Sequence, residues 1–175
     1  MVPTVLGIVL TVGPIGAAGV PAIVATVVID LAVLSAIWLS MRPASPDIGS
    51  REALNGAVGR GVPVVVELRS SFCLICMANR HTIKLAAAAL RGTARFVRVE
   101  LRTASGRAIG DAYGVTYTPS YLIFDEHGDL VRTVIPDSVT PLANGYRVID
   151  EKGELMNRAE RVTPELLVDL VRFAG

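Results

Sequence analysis

A chain of 175 residues has room for one domain of ordinary size plus an appendage, and a net charge of +1 offers no electrostatic grip on nucleic acid or an anionic surface. Hydrophobic residues make up 51% of it, and the excess is gathered at the front. From Val2 to Met41 the only ionisable side chain is Asp30, and Arg42 is the first basic residue.

A membrane-spanning helix needs ~20 predominantly apolar residues. Pro21 to Met41 supplies that length. Pro21 fits a first helical turn, where its missing N–H costs nothing, and Trp38 and Arg42 suit an interfacial end. A cleaved signal peptide would carry a basic leading region and a shorter apolar core. No basic side chain stands ahead of this core, so residues 1–42 are expected to be a retained single-pass anchor with its span at about 21–41. Val2 to Val20 is also apolar, which leaves a longer helix or a tight helical hairpin open, with Gly13-Pro14 and Gly19 marking a break or kink. Asp30 falls mid-span, where a carboxylate costs ~2.5–3.5 kcal/mol. It either meets an integral-membrane partner, is protonated, or is simply tolerated by a strongly apolar helix. Arg42, Arg51 and Arg60 follow the span, a bias that would put the next domain in the cytoplasm.

Pro43 to Gly49 reads as a linker, and residues 50–175 as one domain. Ser50 suits the N-cap of a short helix reaching Val58. Val62 to Leu68 is a nearly continuous apolar run, the pattern of a central strand buried on both faces. Leu74 to Leu90 predicts one long helix ended by Gly92, Arg95 to Leu101 an alternating strand, and Ser105 to Tyr113 a helix ended by Gly114. Tyr121 to Phe124 predicts a strand that the turn Asp125-Glu-His-Gly returns as Asp129 to Ile135. The stretch Tyr121-Leu-Ile-Phe-Asp-Glu-His-Gly-Asp-Leu-Val is echoed by Tyr146-Arg-Val-Ile-Asp-Glu-Lys-Gly-Glu-Leu-Met, which predicts an extra hairpin near 146–156 beside the first. Duplication and independent turn chemistry both fit that echo. Thr163-Pro164 opens a terminal amphipathic helix with apolar Leu166, Leu167, Leu170, Val171 and Phe173. The order is βαβα, then hairpin, then helix, which implies an α/β mixed sheet flanked by helices.

Cys73 and Cys76 are the only cysteines, set as Cys-Leu-Ile-Cys just after the apolar run. A strand feeding a helix at its first turn is where unpaired amides and the helix dipole favour a thiolate, the nucleophile of disulfide exchange. The alternative is half of a zinc site, but four-coordinate zinc wants a second pair of ligands, and only His81 and His127 remain to supply one. Redox chemistry is therefore expected, with no metal and no organic cofactor.

Together these residues resemble the thioredoxin superfamily. The strand runs into Ser-Ser-Phe-Cys-Leu-Ile-Cys-Met, and Tyr113-Gly-Val-Thr-Tyr-Thr-Pro-Ser-Tyr-Leu-Ile-Phe-Asp is similar to the stretch carrying that family's cis-proline, here Pro119. The match covers roughly Ser50 to Ile135 and resumes at the last helix. It is nearest in flavour to the thioredoxin-like domain of membrane thiol–disulfide carriers, with the tethered reductases of cytochrome c maturation a second relative. The resemblance implies that Cys73 attacks, that Cys76 resolves the mixed disulfide, and that Glu67 is the family's buried acid, exchanging a proton with Cys76. A carboxyl in so apolar a strand has its neutral form favoured, whereas a strand-end glutamate would point to water. The backbone of Thr118, freed by a cis Pro119, would pair with an extended substrate segment, and Phe72 stands where many members carry Trp. Arg98 either matches a basic residue near the acid or is a plain strand arginine. His81 and His127 read as surface residues. The Leu-Ile pair departs from familiar inter-cysteine dipeptides and leaves the redox poise open.

The expectation is thus a membrane-anchored, thioredoxin-like oxidoreductase that reduces protein disulfides, fed by a thiol–disulfide electron donor, with its domain extracytoplasmic by analogy with tethered relatives. The rival is a non-catalytic accessory subunit of a membrane complex, assembled through the span and Asp30.

Overall fold

In the computed structural model, which describes residues 20–40, 47–138 and 145–173, the first element is helix α1, Val20–Ser40. It belongs to one compact unit, residues 1–43, and the remaining elements to a second, residues 44–175. Side chains of α1 are described from 24 to 36, and Val24, Val27, Val28, Ile29, Leu31, Val33 and Leu34 are all exposed there. Among the described residues no helix is long and apolar enough to cross a membrane. The break expected at Gly13-Pro14 and Gly19, Arg42, the side chain of Trp38 and linker residues 43–46 lie outside what is described.

The second unit starts with helix α2, Arg51–Asn55, whose N-cap Ser50 accepts the Ala53 amide. Strand β1, Val64–Arg69, leads into α3, Leu74–Ala78, and α4, Arg80–Ala89. The single helix expected over Leu74–Leu90 is therefore interrupted at Asn79. Asparagine is a weak helix former because its amide finds competing partners, and Asn79 serves both as the C-cap of α3 and as the N-cap of α4. Strand β2, Arg95–Glu100, helix α5, Ala104–Ala112, and strands β3, Ser120–Phe124, and β4, Leu130–Pro136, follow. The chain closes with β5, Tyr146–Asp150, β6, Leu155–Ala159, and α6, Pro164–Arg172.

The six strands form one mixed sheet in the order β2-β1-β3-β4-β5-β6, with β1 and β2 parallel and the other neighbours antiparallel. The extra hairpin joins the sheet as β5 and β6 and ends it at an exposed edge. Its turn repeats most of the first turn's hydrogen bonds. Asp125 Oδ1 takes the amides of His127, Gly128 and Asp129, and Asp150 Oδ1 takes those of Lys152 and Glu154. Gly128 and Gly153 both hold φ above +80°, the left-handed region open to glycine.

Alternation along β1 sorts the core into two layers. Val64, Val66 and Leu68 pack with Leu54 of α2, Ile109 of α5, Val97, Val99, Leu122 and Phe124. Val65 faces the other way, into Ile83 and Ala86 of α4, Leu167 and Val171 of α6, Tyr121, Val134 and Tyr146. The far end of the expected linker is not free. Ile48 bridges to Val99 and is buried, while Asp47 holds the Arg98 guanidinium in a two-point pair of 3.1 and 3.2 Å. The open edge of β2 is what captures it.

Candidate active site

Strand β1 ends where its backbone must turn into α3, and the loop between them, Ser70–Phe72, is pinned from β2. The Glu100 carboxylate accepts both the amide and the hydroxyl of Ser71, the amide at 2.9 Å. Next in the chain, Cys73 is the N-cap of α3 and the Cys76 amide donates to its sulfur at 3.2 Å. Both cysteines are free thiols lying on one turn, Cys73 half-buried and Cys76 buried. The sulfur of Cys73 reaches across to the carbonyl of Thr118, 3.7 Å away, and the Thr118–Pro119 peptide is cis. This brings together two segments 45 positions apart in sequence.

Their surroundings separate the two thiols. Burial pushes the Cys76 thiol up to about 12, and its hydrogen bond with Cys73 adds to the effect, while Ser70 and Thr118 work against it. A thiol so hard to ionise does not give a nucleophile at neutral pH without help. Cys73 has a different setting, flanked by exposed Phe72 and Leu74, which are 75% and 79% accessible, with exposed Tyr117 just ahead of Thr118. The Arg102 guanidinium sits 4.4 Å from the Phe72 ring centroid, a cation–π contact. The half-buried sulfur therefore has an apolar rim, the kind of surface that meets another protein.

Glu67 is 4% accessible, and burial raises its pKa from the ordinary 4.5, against the pull of Arg69 and Arg98. Arg98 is not idle on the surface; its pair with Asp47 holds it beside the acid. Glu67, Arg69 and Arg98 share a cleft of about 360 Å³ with Arg80, Lys84 and Arg91, which gives the carboxyl side a path to solvent. His81 and His127 are exposed. Among the described residues no group of three or more His, Cys, Asp and Glu is placed to hold a metal ion.

Four residues of this region escape sequence reasoning. Glu100 reads only as a polar position in an alternating strand, and Arg102 as a loop arginine. Tyr121 and Tyr146 read as aromatic strand formers, yet both are buried beside the thiols. Burial raises Tyr146 to about 12 and Tyr121 well above its ordinary value. Only the echo between the Tyr121 and Tyr146 stretches draws attention to them.

The structure overlays a mutant thioredoxin from Halobacterium salinarum with a TM-score of 0.50 at 18% identity, covering 76% of this chain and 96% of that one. The fold is thioredoxin-like. A thioredoxin from Trypanosoma brucei brucei is similar at a TM-score of 0.47 and 19% identity, over 57% of this chain and 82% of its own. No family model matches the chain, and no curated protein matches it in sequence. The thioredoxin-like mixed sheet flanked by helices thus stands as read from the sequence.

Proposed function

We propose that this chain is a membrane-anchored thiol–disulfide oxidoreductase that reduces protein disulfides. The observation that carries the reading is the pair of thiols on one helical turn with the Cys73 sulfur 3.7 Å from the Thr118 carbonyl. Cys73, as thiolate, attacks one sulfur of a substrate disulfide, forming a mixed disulfide and expelling one substrate thiol. The substrate segment lies along the Thr118–Pro119 backbone and against Phe72. Cys76 gives up its proton, attacks the Cys73 sulfur and expels the second substrate thiol, leaving a Cys73–Cys76 disulfide. Two electrons and two protons have then passed to the substrate, and a thiol–disulfide electron donor restores the dithiol. Glu67, protonated more readily than an ordinary carboxyl, exchanges the proton of Cys76. The poise between reduction, oxidation and isomerisation is set by the Leu-Ile pair and its surroundings.

The anchor rests on the sequence, in which Pro21 to Met41 is apolar but for Asp30 and long enough to span. Asp30 is the group by which it would meet an integral-membrane partner. The thiol domain works outside the cytoplasm, where disulfide substrates persist; a long downstream domain can be translocated despite an arginine bias.

Full-length protein in detergent should precipitate insulin in the presence of dithiothreitol, and Cys73→Ser should abolish that activity. Absence of turnover with every thiol donor, alongside a stable partner whose co-purification depends on Asp30, would instead make the chain an accessory subunit. The anchor is tested by fractionation: the full chain should resist alkaline extraction from membranes, and recovery in the wash would remove it.

A further inference from the structure

Tyr121 carries a fully buried hydroxyl with no hydrogen-bond partner among the described residues. Buried polar groups are rarely left so, because the lost water is not replaced. Its position is specific. Tyr121 on β3 stands directly across from Glu67 on β1, on the same face of the sheet, where cross-strand Cβ atoms are ~4.5–5.5 Å apart. The phenol lies within electrostatic reach of Glu67, Tyr146, Cys76 and Cys73. Helices α4 and α6 pack Ile83, Ala86, Leu167 and Val171 against this cluster, and the cations Arg80 and Lys84 of α4 line the cleft that Glu67 shares. Arg69, Arg98 and Asp47 act on the Glu67 carboxyl itself. Among the described residues no hydrogen bond joins that carboxyl to Cys76, nor the phenol to either, so the proton exchange assigned to them is completed only as the groups move during turnover. Tyr146 does not fill the gap, since it stands on β5, three strands along the sheet from Glu67 on β1.

We propose that Tyr121 positions the proton of the resolving step, linking Cys76 to Glu67; this rests on the thiol-exchange reading above. As Cys76 approaches the mixed disulfide, its S–H proton moves to the phenol oxygen. The phenol's own proton moves to the Glu67 carboxylate, and the new O–H is left pointing at the Cys76 thiolate. No charge is created or lost: one carboxylate becomes an acid and one thiol becomes a thiolate. The orphan hydroxyl of the dithiol state is thus a donor held for a sulfur that becomes charged only during turnover.

The test separates the two sulfurs by time. Full-length reduced protein is mixed with the aromatic disulfide dithiobis(nitrobenzoate), whose released thiolate is visible. Attack by Cys73 releases the first equivalent, and attack by Cys76 on the resulting mixed disulfide releases the second. In Tyr121→Phe the first phase should stay within about twofold, and the second should slow by about tenfold, the size of one hydrogen bond to a charged group. The pH profile of the second phase should move up by about 1 unit. The melting temperature should hold or rise, because the deleted oxygen has no partner. An unchanged second phase and pH profile, with the first phase intact, would overturn the proposal. Equal slowing of both phases with a lowered melting temperature would overturn it too, as a packing defect. If the wild-type chain shows no first phase, the thiol-exchange reading itself falls.

Discussion

The two faces of the central sheet are built from the same strands and do different work. On the face covered by α2 and α5 the core runs from Ile48 and Leu54 through Val66 and Val99 to Ile109 and Phe124, and its buried polar residues, Ser120 and Thr133, carry only hydroxyls that do not ionise. On the face covered by α4 and α6 lie the buried ionisable groups among the described residues, Glu67, Cys76, Tyr121 and Tyr146. Alternation along β1 puts Leu68 on the first face and Glu67 on the second, one residue apart. The difference teaches that stability and chemistry are separated by a single step of the pleat. The first face holds the platform rigid, and the second can then carry groups whose burial is a cost.

That separation can be broken or sharpened by mutation. The largest effect belongs to Cys73→Ser, which should reduce insulin turnover to background, a loss on the order of a thousandfold, with the melting temperature little changed. Retained turnover would move the chemistry away from this sulfur. Next is Ile109→Ala on the apolar face. Ile109 is fully buried, so truncation should cost about 2–5 kcal/mol in urea unfolding, while the rate of exchange by folded protein stays the same. A fall in that rate would show that the faces are coupled.

Glu67→Gln tests the other face through pH. The folded carboxyl holds its proton above the ordinary 4.5 because it is buried. Its contribution to stability is therefore complete below that value and is lost as pH rises through the raised one. The glutamine variant cannot lose it. Unfolding measured from about pH 4 to about pH 8 should show the wild type falling relative to Glu67→Gln, and parallel curves would mean the carboxyl is not desolvated. The smallest change is Glu100→Ala, which frees the amide and hydroxyl of Ser71. It should cost about 1–2 kcal/mol and raise protease sensitivity at Ser70–Phe72 before anywhere else in the sheet.

Much of this architecture is legible in residues read one after another. The run Val62–Leu68 announces a strand buried on both sides, and Asp125-Glu-His-Gly and Asp150-Glu-Lys-Gly announce their turns, because an aspartate followed at the third position by glycine satisfies the tight loop locally. What sequence hides depends on partners that are distant in the chain. The capture of Ile48 arises from the open edge of β2. Tyr121 looks like any strand aromatic until the β1–β3 register sets it opposite Glu67. Glu100 looks like a solvent-facing acid until the loop before Cys73 folds back onto it. The cysteines themselves are plain from spacing; the contrast between their environments is not.

The most direct test of the account is covalent trapping. Full-length Cys76→Ser protein, reduced and then exposed to a disulfide-bonded protein substrate, should accumulate a mixed disulfide that mass spectrometry maps to Cys73 and that dithiothreitol releases. The double variant Cys73→Ser, Cys76→Ser should trap nothing. Failure of Cys76→Ser to hold any adduct while the wild type oxidises normally, or an adduct held through Cys76 in Cys73→Ser at the same yield, would contradict the division of labour between an accessible attacking sulfur and a buried resolving one.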